Sequence, residues 1–221
     1  MKTIAIIPAY NEAQTIADVL TRTREFVDGV IVVDDGSTDA TASIARTHGA
    51  IVVRHLINRG LGASIGTGFE FALRLGADVV VTLDADGQHD PSSIPDLLQA
   101  VGQGADVVIG SRMIEPTDMP WYRQCANMLG NLVTLFLFGA WVSDSQSGFR
   151  CFTRHAVSQI EIRTNHMEVS SELIAEAKRH TLRLVEVPIK ALYTDYSLSK
   201  GQNFFVGIKT LIKLVLRRLS Q

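Results

Sequence analysis

Apolar residues dominate five short runs in the first half of the chain: Thr3–Ile7, Val30–Val33, Ile51–Val53, Val79–Leu83 and Val107–Ile109. Runs of this length without alternating polar positions predict strands buried on both faces. The intervals between them have a helical period. Ile16, Val19, Leu20 and Phe26 recur at helical spacing, Leu61 to Leu75 does the same, Thr38-Asp39 reads as a helix start, and Pro91 opens a further helix. Buried strands alternating with helices predict an α/β fold on a mostly parallel sheet flanked by helices. No repeat, low-complexity stretch or linker interrupts the pattern. Residues 1–221 therefore read as a single domain with a smaller C-terminal elaboration.

That elaboration has its own pattern. On a helical wheel Phe204, Phe205, Ile208, Leu211, Ile212, Val215 and Leu219 share one face, and Lys209, Lys213 and Arg217 form a stripe beside it. From Ser197 onward there are five cations and no acid, whereas the first 196 residues carry 16 basic against 23 acidic side chains. A basic amphipathic C-terminal helix at an anionic membrane surface fits this pattern, as does packing in the core or against a second copy. Met119 to Val142 is a second candidate membrane element, with Trp121, Tyr122 and Trp141 near its ends. No apolar stretch reaches the ~18 residues of a spanning helix.

Composition narrows the class. With 46% hydrophobic and 20% charged residues in 221, the chain is expected to be globular. A net charge of −2 argues against nucleic acid as a partner. Two cysteines, Cys125 and Cys151, both in apolar stretches, predict reduced thiols packed in the core of a cytoplasmic protein. The apolar start ends at Pro8 and is followed by Asn11 and Glu12, which is not the pattern of a signal peptide.

Polar residues gather where the strands end: Pro8-Ala9-Tyr10-Asn11-Glu12, Asp34-Asp35-Gly36-Ser37, Asp84-Ala85-Asp86 and Gly110-Ser111-Arg112. Open α/β sheets bind ligands outside the carboxyl ends of their strands, so these loops predict one site. Asp84 and Asp86 leave a strand two residues apart. On an extended segment they would share a face and repel unless a cation lies between them or one is protonated. Oxygen ligands at a phosphate site favour Mg²⁺ or Mn²⁺, and Gln88 and His89 follow within reach. Asp34 and Asp35 could accept hydrogen bonds from a base or ribose, or cap Ser37 and the next helix. Tyr10 could pack on a base. The run Asn58 to Gly66 is not a dinucleotide fingerprint, because it does not follow the first strand, and a Walker loop is absent. No Ser-His-Asp arrangement or Cys/His metal spacing emerges, and His48, His55, His155, His166 and His180 read as ordinary structural side chains.

In order along the chain, PAYNE, DDGSTD, N-x-G-x-G, DADGQH, GSR and DSQSGFR resemble the motifs of glycosyltransferase family 2, over Ile4 to about Gly201. The similarity is to the branch of dolichol-phosphate mannosyltransferases and bacterial polyprenyl-phosphate glycosyltransferases. It implies a GT-A, Rossmann-like fold and inverting, metal-dependent transfer of a hexose from a nucleotide-diphosphate sugar. By motif, Pro8, Ala9, Tyr10, Glu12, Asp35, Ala85 and Asp86 resemble nucleotide-sugar contacts, and Asp84, Asp86 and Gln88 the metal group. Arg112, Arg123, Asn127 and Ser197 resemble acceptor-phosphate contacts, with Asn127 standing where the family has Ser. Ser197 and Lys200, in YSLSKG, resemble a mobile loop over the diphosphate, and the Arg often found shortly before it is missing from ALYTDYS. The resemblance divides the chain into a nucleotide-sugar half, 1–112, an acceptor half with the loop, 113–202, and the basic helix, 203–221.

The acceptor decides whether a base is needed. A hydroxyl must lose a proton during attack, whereas a polyprenyl phosphate is already ionised and needs cations to place it. Asp144 is the candidate base for a hydroxyl acceptor. Its alternative role is to orient Arg112, Arg150 or the acceptor loop. The catalytic set is thus Asp84, Asp86, Arg112, Asp144 and Lys200, and the expected location is the inner face of the membrane, peripherally bound. A saccharide acceptor, a nucleotidyltransferase and an inactive subunit bound to a membrane partner are the competing readings.

Overall fold

In the computed structural model, residues 1–115, 119 and 121–192 are described, without the side chains of residues 121–123 and 137. Ser197, Lys200 and the helix expected over 203–221 lie outside the described residues, as does the side chain of Arg123. Seven strands form one sheet in the order β3-β2-β1-β4-β6-β5-β7. They are β1 (Thr3–Ala9), β2 (Gly29–Asp34), β3 (Ile51–Arg54), β4 (Val79–Thr82), β5 (Val107–Ser111), β6 (Arg150–Thr153) and β7 (Leu184–Pro188). All pairings are parallel except those of β6, which runs antiparallel between β4 and β5.

The alternation of side chains across β1 explains its unbroken apolar run. Ala5, Ile7 and Ala9 pack with α1 (Ile16–Thr23) and α4 (Ile94–Gly102) on one face. Ile4 and Ile6 turn to the other face, against α3 (Leu61–Arg74), α6 (Arg154–Gln159) and α7 (Val169–Arg179). Each face is covered, so neither side of the strand can be polar. The contact of α3 with β1 is close, since a Cβ on Gly68 would lie 2.4 Å from Ile6 Cγ2. The ring of Phe69 meets that of Phe152 edge-on at 5.1 Å between centroids.

The fourth and fifth apolar runs are separated in the sheet by β6. One expectation needs correction. Cys151 is buried at the centre of β6, but Cys125 is exposed. Cys125 belongs to α5 (Trp121–Phe138), whose inward face is polar, with Asn127, Asn131 and Thr134 buried at helical spacing. The apolar side chains of Met128, Leu129, Leu132 and Phe136 point outward with it, Phe136 being 91% exposed. Among the described residues no helix is long and apolar enough to cross a membrane.

Candidate active site

The carboxyl ends of β1, β2, β4 and β5 point the same way, and the reversed β6 brings its entry segment to that edge. Arg150, its first residue, pairs with Thr82 on one side and Ile109 on the other. Residues 143–149 therefore join the four predicted loops.

On the β1–β2 side, Pro8 and Ala9 close β1 and Tyr10 is 46% exposed at the rim. Asn11 has φ +55°, its N–H donates to Ser37 Oγ at 2.9 Å, and its Oδ1 accepts from the Thr38 N–H at 2.9 Å. The N–H of Glu12 donates to Thr41 Oγ1 at 2.8 Å at the start of α2 (Thr41–Thr47). The two aspartates divide their work. Asp34 is buried, caps the turn by accepting from the Ser37 N–H at 3.1 Å, and pairs with Arg54 Nε at 3.0 Å. Asp35 holds the 55–60 segment. Its Oδ1 accepts from His55 Nδ1 at 2.7 Å and from the Arg59 N–H at 2.8 Å, and its Oδ2 from the Gly60 N–H at 2.7 Å. A carboxylate can only accept, so Nδ1 of His55 is the donor, and Nε2 lies 3.0 Å from the Thr67 hydroxyl. His55 is thus part of the site's support. Its sequence neighbours carry no signal of this. Gly36, at φ +76°, has no room for a side chain, because a Cβ would stand 2.7 Å from the backbone of Ile57 and Asn58.

At the end of β4 the strand stops at Thr82, and Ala85 and Asp86 lie in a turn. The two carboxylates are neighbours through that turn and not through an extended segment. Burial raises the Asp84 carboxyl above its ordinary range, with Glu12 adding to the rise and Arg112 and Arg150 opposing it. Burial and then the Asp84 charge raise Asp86, against the Gln88 N–H that donates to its Oδ1 at 3.0 Å. Asp84 Oδ1 lies close over Gly148, and Asp84 lines a small recess with Pro8, Ser147 and Arg150 and the apolar Leu61, Ile65 and Leu173. His89 is a support and not a ligand candidate. Its Nδ1 accepts from the Asp84 N–H at 3.2 Å, its ring lies 5.3 Å from that of Phe149, and burial, followed by the Arg112 charge, lowers its pKa to about 4. Among the described residues no ready-made group of three or more metal-ligating side chains occurs. Two neighbouring carboxylates, the Asp84 charge raising Asp86, do fit Mg²⁺ or Mn²⁺, which take remaining ligands from water and substrate phosphates.

On the β5–β6 side, Asp144 is fully buried and Arg112 embraces it. Arg112 Nε and Nη2 donate to its two oxygens at 2.7 and 2.9 Å, the Arg112 N–H adds a third bond at 3.1 Å, and Asn127 Nδ2 a fourth at 2.9 Å. Burial pushes this carboxyl up, but the Arg112 charge and these hydrogen bonds outweigh it and hold it below the usual range. Glu186, on β7, grips the same turn by accepting from the N–H and hydroxyl of Ser143 at 2.9 and 2.8 Å. Asn131 spans the turn, donating to Ser143 O at 2.6 Å and accepting from the Ser145 N–H at 2.8 Å. Arg150 is buried and donates to the carbonyls of Ser147, Ser170 and Ser145 at 2.8, 2.9 and 2.7 Å. Burial lowers its pKa to about 10, against the pull of Asp144 and Asp84.

Residues 4–161 match the family described as Glycosyl transferase family 2. The chain belongs to that family. It is a glycosyltransferase, on a mostly parallel GT-A-like sheet. It is 35% identical to the UDP-N-acetylglucosamine–dolichyl-phosphate N-acetylglucosaminyltransferase of Methanococcus voltae, over 98% of this chain and 96% of that one. It is 34% identical to the undecaprenyl-phosphate mannosyltransferase of Micrococcus luteus, over 94% and 90% respectively. In fold it is similar to the glucosyl-3-phosphoglycerate synthase of Mycobacterium tuberculosis, crystallised with Mn²⁺, UDP and phosphoglyceric acid. That match has a TM-score of 0.76 at 21% identity and covers 98% of this chain and 78% of the other.

The structure thus brings Pro8, Ala9, Tyr10, Glu12, Asp35, Asp84, Ala85, Asp86, Gln88, Arg112, Asn127 and Asp144 to one edge of the sheet. His55, Asn131, Arg150 and Glu186 complete it.

Proposed function

We propose that this glycosyltransferase moves a hexose, with inversion, from a nucleoside-diphosphate sugar to a polyprenyl phosphate. The observation that carries this reading is Asp144. A base for a hydroxyl acceptor needs an open oxygen and a pKa near the working pH. Asp144 is buried, both its oxygens are engaged by Arg112 or Asn127, and it is held below the usual carboxylate range. An acceptor that arrives ionised removes the need for that base. The names of the Methanococcus voltae and Micrococcus luteus relatives support the same acceptor class. So does the apolar outer face of α5, whose inner face holds Asp144 through Asn127.

In this reading residues 1–112 bind the donor, with Tyr10 against the base and Asp35 and Glu12 shaping its pocket. Asp84, Asp86 and Gln88 hold Mg²⁺ or Mn²⁺, which when bound offsets the charge growing on the leaving diphosphate. Lys200 adds a second positive charge there, and Ser197 and Arg123 contribute to phosphate binding. Arg112 sets the acceptor phosphate in line. One phosphate oxygen forms a bond to the anomeric carbon as the bond to the diphosphate breaks, and the electron pair leaves with the nucleoside diphosphate. Inversion follows from a single displacement. The protein works from the inner membrane face, with the outer face of α5 and the basic stretch 203–221 toward the lipid.

The test pairs polyprenyl phosphate with the corresponding polyprenol, using a panel of labelled UDP- and GDP-sugars. Label should enter the organic phase only with the phosphate, and chelation should abolish it. Transfer to polyprenol or to a soluble saccharide would overturn the reading.

A further inference from the structure

Asn127 has one pole tied and the other without a partner. Only a donor can face an ionised carboxylate, so Nδ2 must point to Asp144 Oδ1, at 2.9 Å, and the orientation of the amide is fixed. The opposite pole, Oδ1, is buried and has no hydrogen-bond partner among the described residues. The residue is only 6% exposed, so bulk water does not serve it. One turn further along α5, Asn131 uses both poles on the 143–145 turn, donating at 2.6 Å and accepting at 2.8 Å. Of these two asparagines, only Asn127 leaves its oxygen unmet among the described residues. Buried carbonyl oxygens are nearly always paired, and an exception beside a binding site implies a missing ligand or an ordered water.

A carbonyl oxygen asks for an O–H or N–H. A fully ionised phosphate offers only acceptors and cannot answer it. We propose that Asn127 is a specificity-determining residue whose Oδ1 accepts a hydrogen bond from a hydroxyl on the ligand bound beside Arg112. This rests on the function proposed above, which supplies two such hydroxyls: that of a singly protonated acceptor phosphate, and one on the transferred sugar. Either way the site reads a proton-bearing oxygen as well as a negative charge. A site built to hydrogen-bond a hydroxyl rejects the analogue lacking it far more strongly than an apolar pocket does.

The variants Asn127→Ser and Asn127→Ala remove the carbonyl, and Arg112 continues to hold Asp144 in both. Thermal melts identify the variant that is folded. In the first arm, ³¹P NMR follows methyl phosphate binding from about pH 8 to about pH 5, across its second ionisation near 6, with dimethyl phosphate as the control that has no hydroxyl. Asp84 and Asp86, whose carboxyls burial raises, are present in wild type and variants alike, so the reading is the difference between them at each pH. In the second arm, whichever of UDP-glucose, UDP-N-acetylglucosamine and GDP-mannose turns over is compared with its monodeoxy analogues.

In one arm the wild type should lose roughly tenfold to a hundredfold when the hydroxyl is absent, and the variants under about threefold. The responding arm identifies which hydroxyl is read. Variants that follow the wild type in both arms overturn the inference and leave Oδ1 to a water molecule. If polyprenyl phosphate is not an acceptor while the sugar arm responds, the function proposed above falls and this inference stands. If polyprenyl phosphate is used and neither arm responds, this inference alone falls.

Discussion

A Cβ on Gly148 would stand 2.5 Å from Oδ1 of Asp84 and 2.8 Å from Oδ2. The loop before β6 is thereby a floor for a carboxylate that belongs to the end of β4. The Gly148 carbonyl also accepts from Thr82 Oγ1 at 2.8 Å, which fixes the floor to the strand beside it. Gly148→Ala is expected to displace Asp84 without straining its own backbone, whose φ is not in the left-handed region. Mn²⁺ affinity, read by electron paramagnetic resonance titration, should fall at least about tenfold and kcat/KM with it, while Tm changes by only a few degrees. An unchanged Mn²⁺ affinity would show that Asp84 is not a ligand or that the floor yields.

Asp84 should work against stability when no cation is present. Its carboxyl is raised above the ordinary aspartate value of 3.8, so the fold prefers it protonated. That contribution is fully present below about pH 3.8 and is lost as pH rises through the raised native value. At neutral pH the ionised group is a penalty, softened by water because 41% of its side chain is accessible. Asp84→Asn should therefore raise the Tm of metal-free protein, at about 2–4 °C for each kcal/mol recovered. Adding Mn²⁺ should stabilise the wild type and leave the variant unmoved. Scanning fluorimetry at pH 7, with EDTA and with Mn²⁺, checks both halves.

For Asp86 the expectation is catalytic. Asp86→Asn keeps an oxygen for the Gln88 N–H, so the turn should survive. Loss of one transition-state stabiliser on this scale costs about a hundredfold or more in kcat. Near wild-type turnover in the variant, or in EDTA, would remove the metal from the mechanism.

Asp144 carries the opposite sign to Asp84. Its pKa is lowered, so its contribution is present above about 3.8 and is lost as pH falls through its lower native value. The stability gap between the wild type and Asp144→Asn should stay constant above pH ~5 and narrow in stronger acid. Urea titrations at several pH values test this. Between pH 8 and ~5 a fall in kcat/KM should follow protonation of the acceptor phosphate, near pH 6, with any part due to the raised Asp84 and Asp86 carboxyls shared by Asp144→Asn. A base-like loss that disappears in Asp144→Asn would point instead to a hydroxyl acceptor.

The central strands are legible because both faces of the sheet are covered and leave no polar positions. β6 escapes the same reading because it opens with Arg150, and a buried guanidinium breaks the apolar run. β7 escapes because it is an edge strand, half-buried up to an exposed Pro188, with Glu186 at its middle. The polar strand ends announce the site, since such side chains would be costly anywhere else along a buried strand. The supporting shell is silent in sequence. Glu186 reaches Ser143 across 43 residues and His55 reaches Asp35 across 20, and the 143–147 turn is held largely through backbone N–H and carbonyl groups that every residue has. The exposure of Cys125 could not be read from its apolar neighbours, because α5 buries its polar side.

The reversed strand also imposes an order of assembly. β5 has only two neighbours in the sheet, β6 and β7, and both come later in the chain. As the polypeptide leaves the ribosome, β1 to β4 can pair among themselves, but Val107–Ser111 has nothing to join until Arg150–Thr153 has emerged. The donor side should therefore be built while the acceptor side is still unformed, with Arg112 and its aspartate held in place only once β6 has emerged. Ribosome-arrested chains of increasing length, probed by brief proteolysis, should show protection of β1 to β4 well before protection of β5.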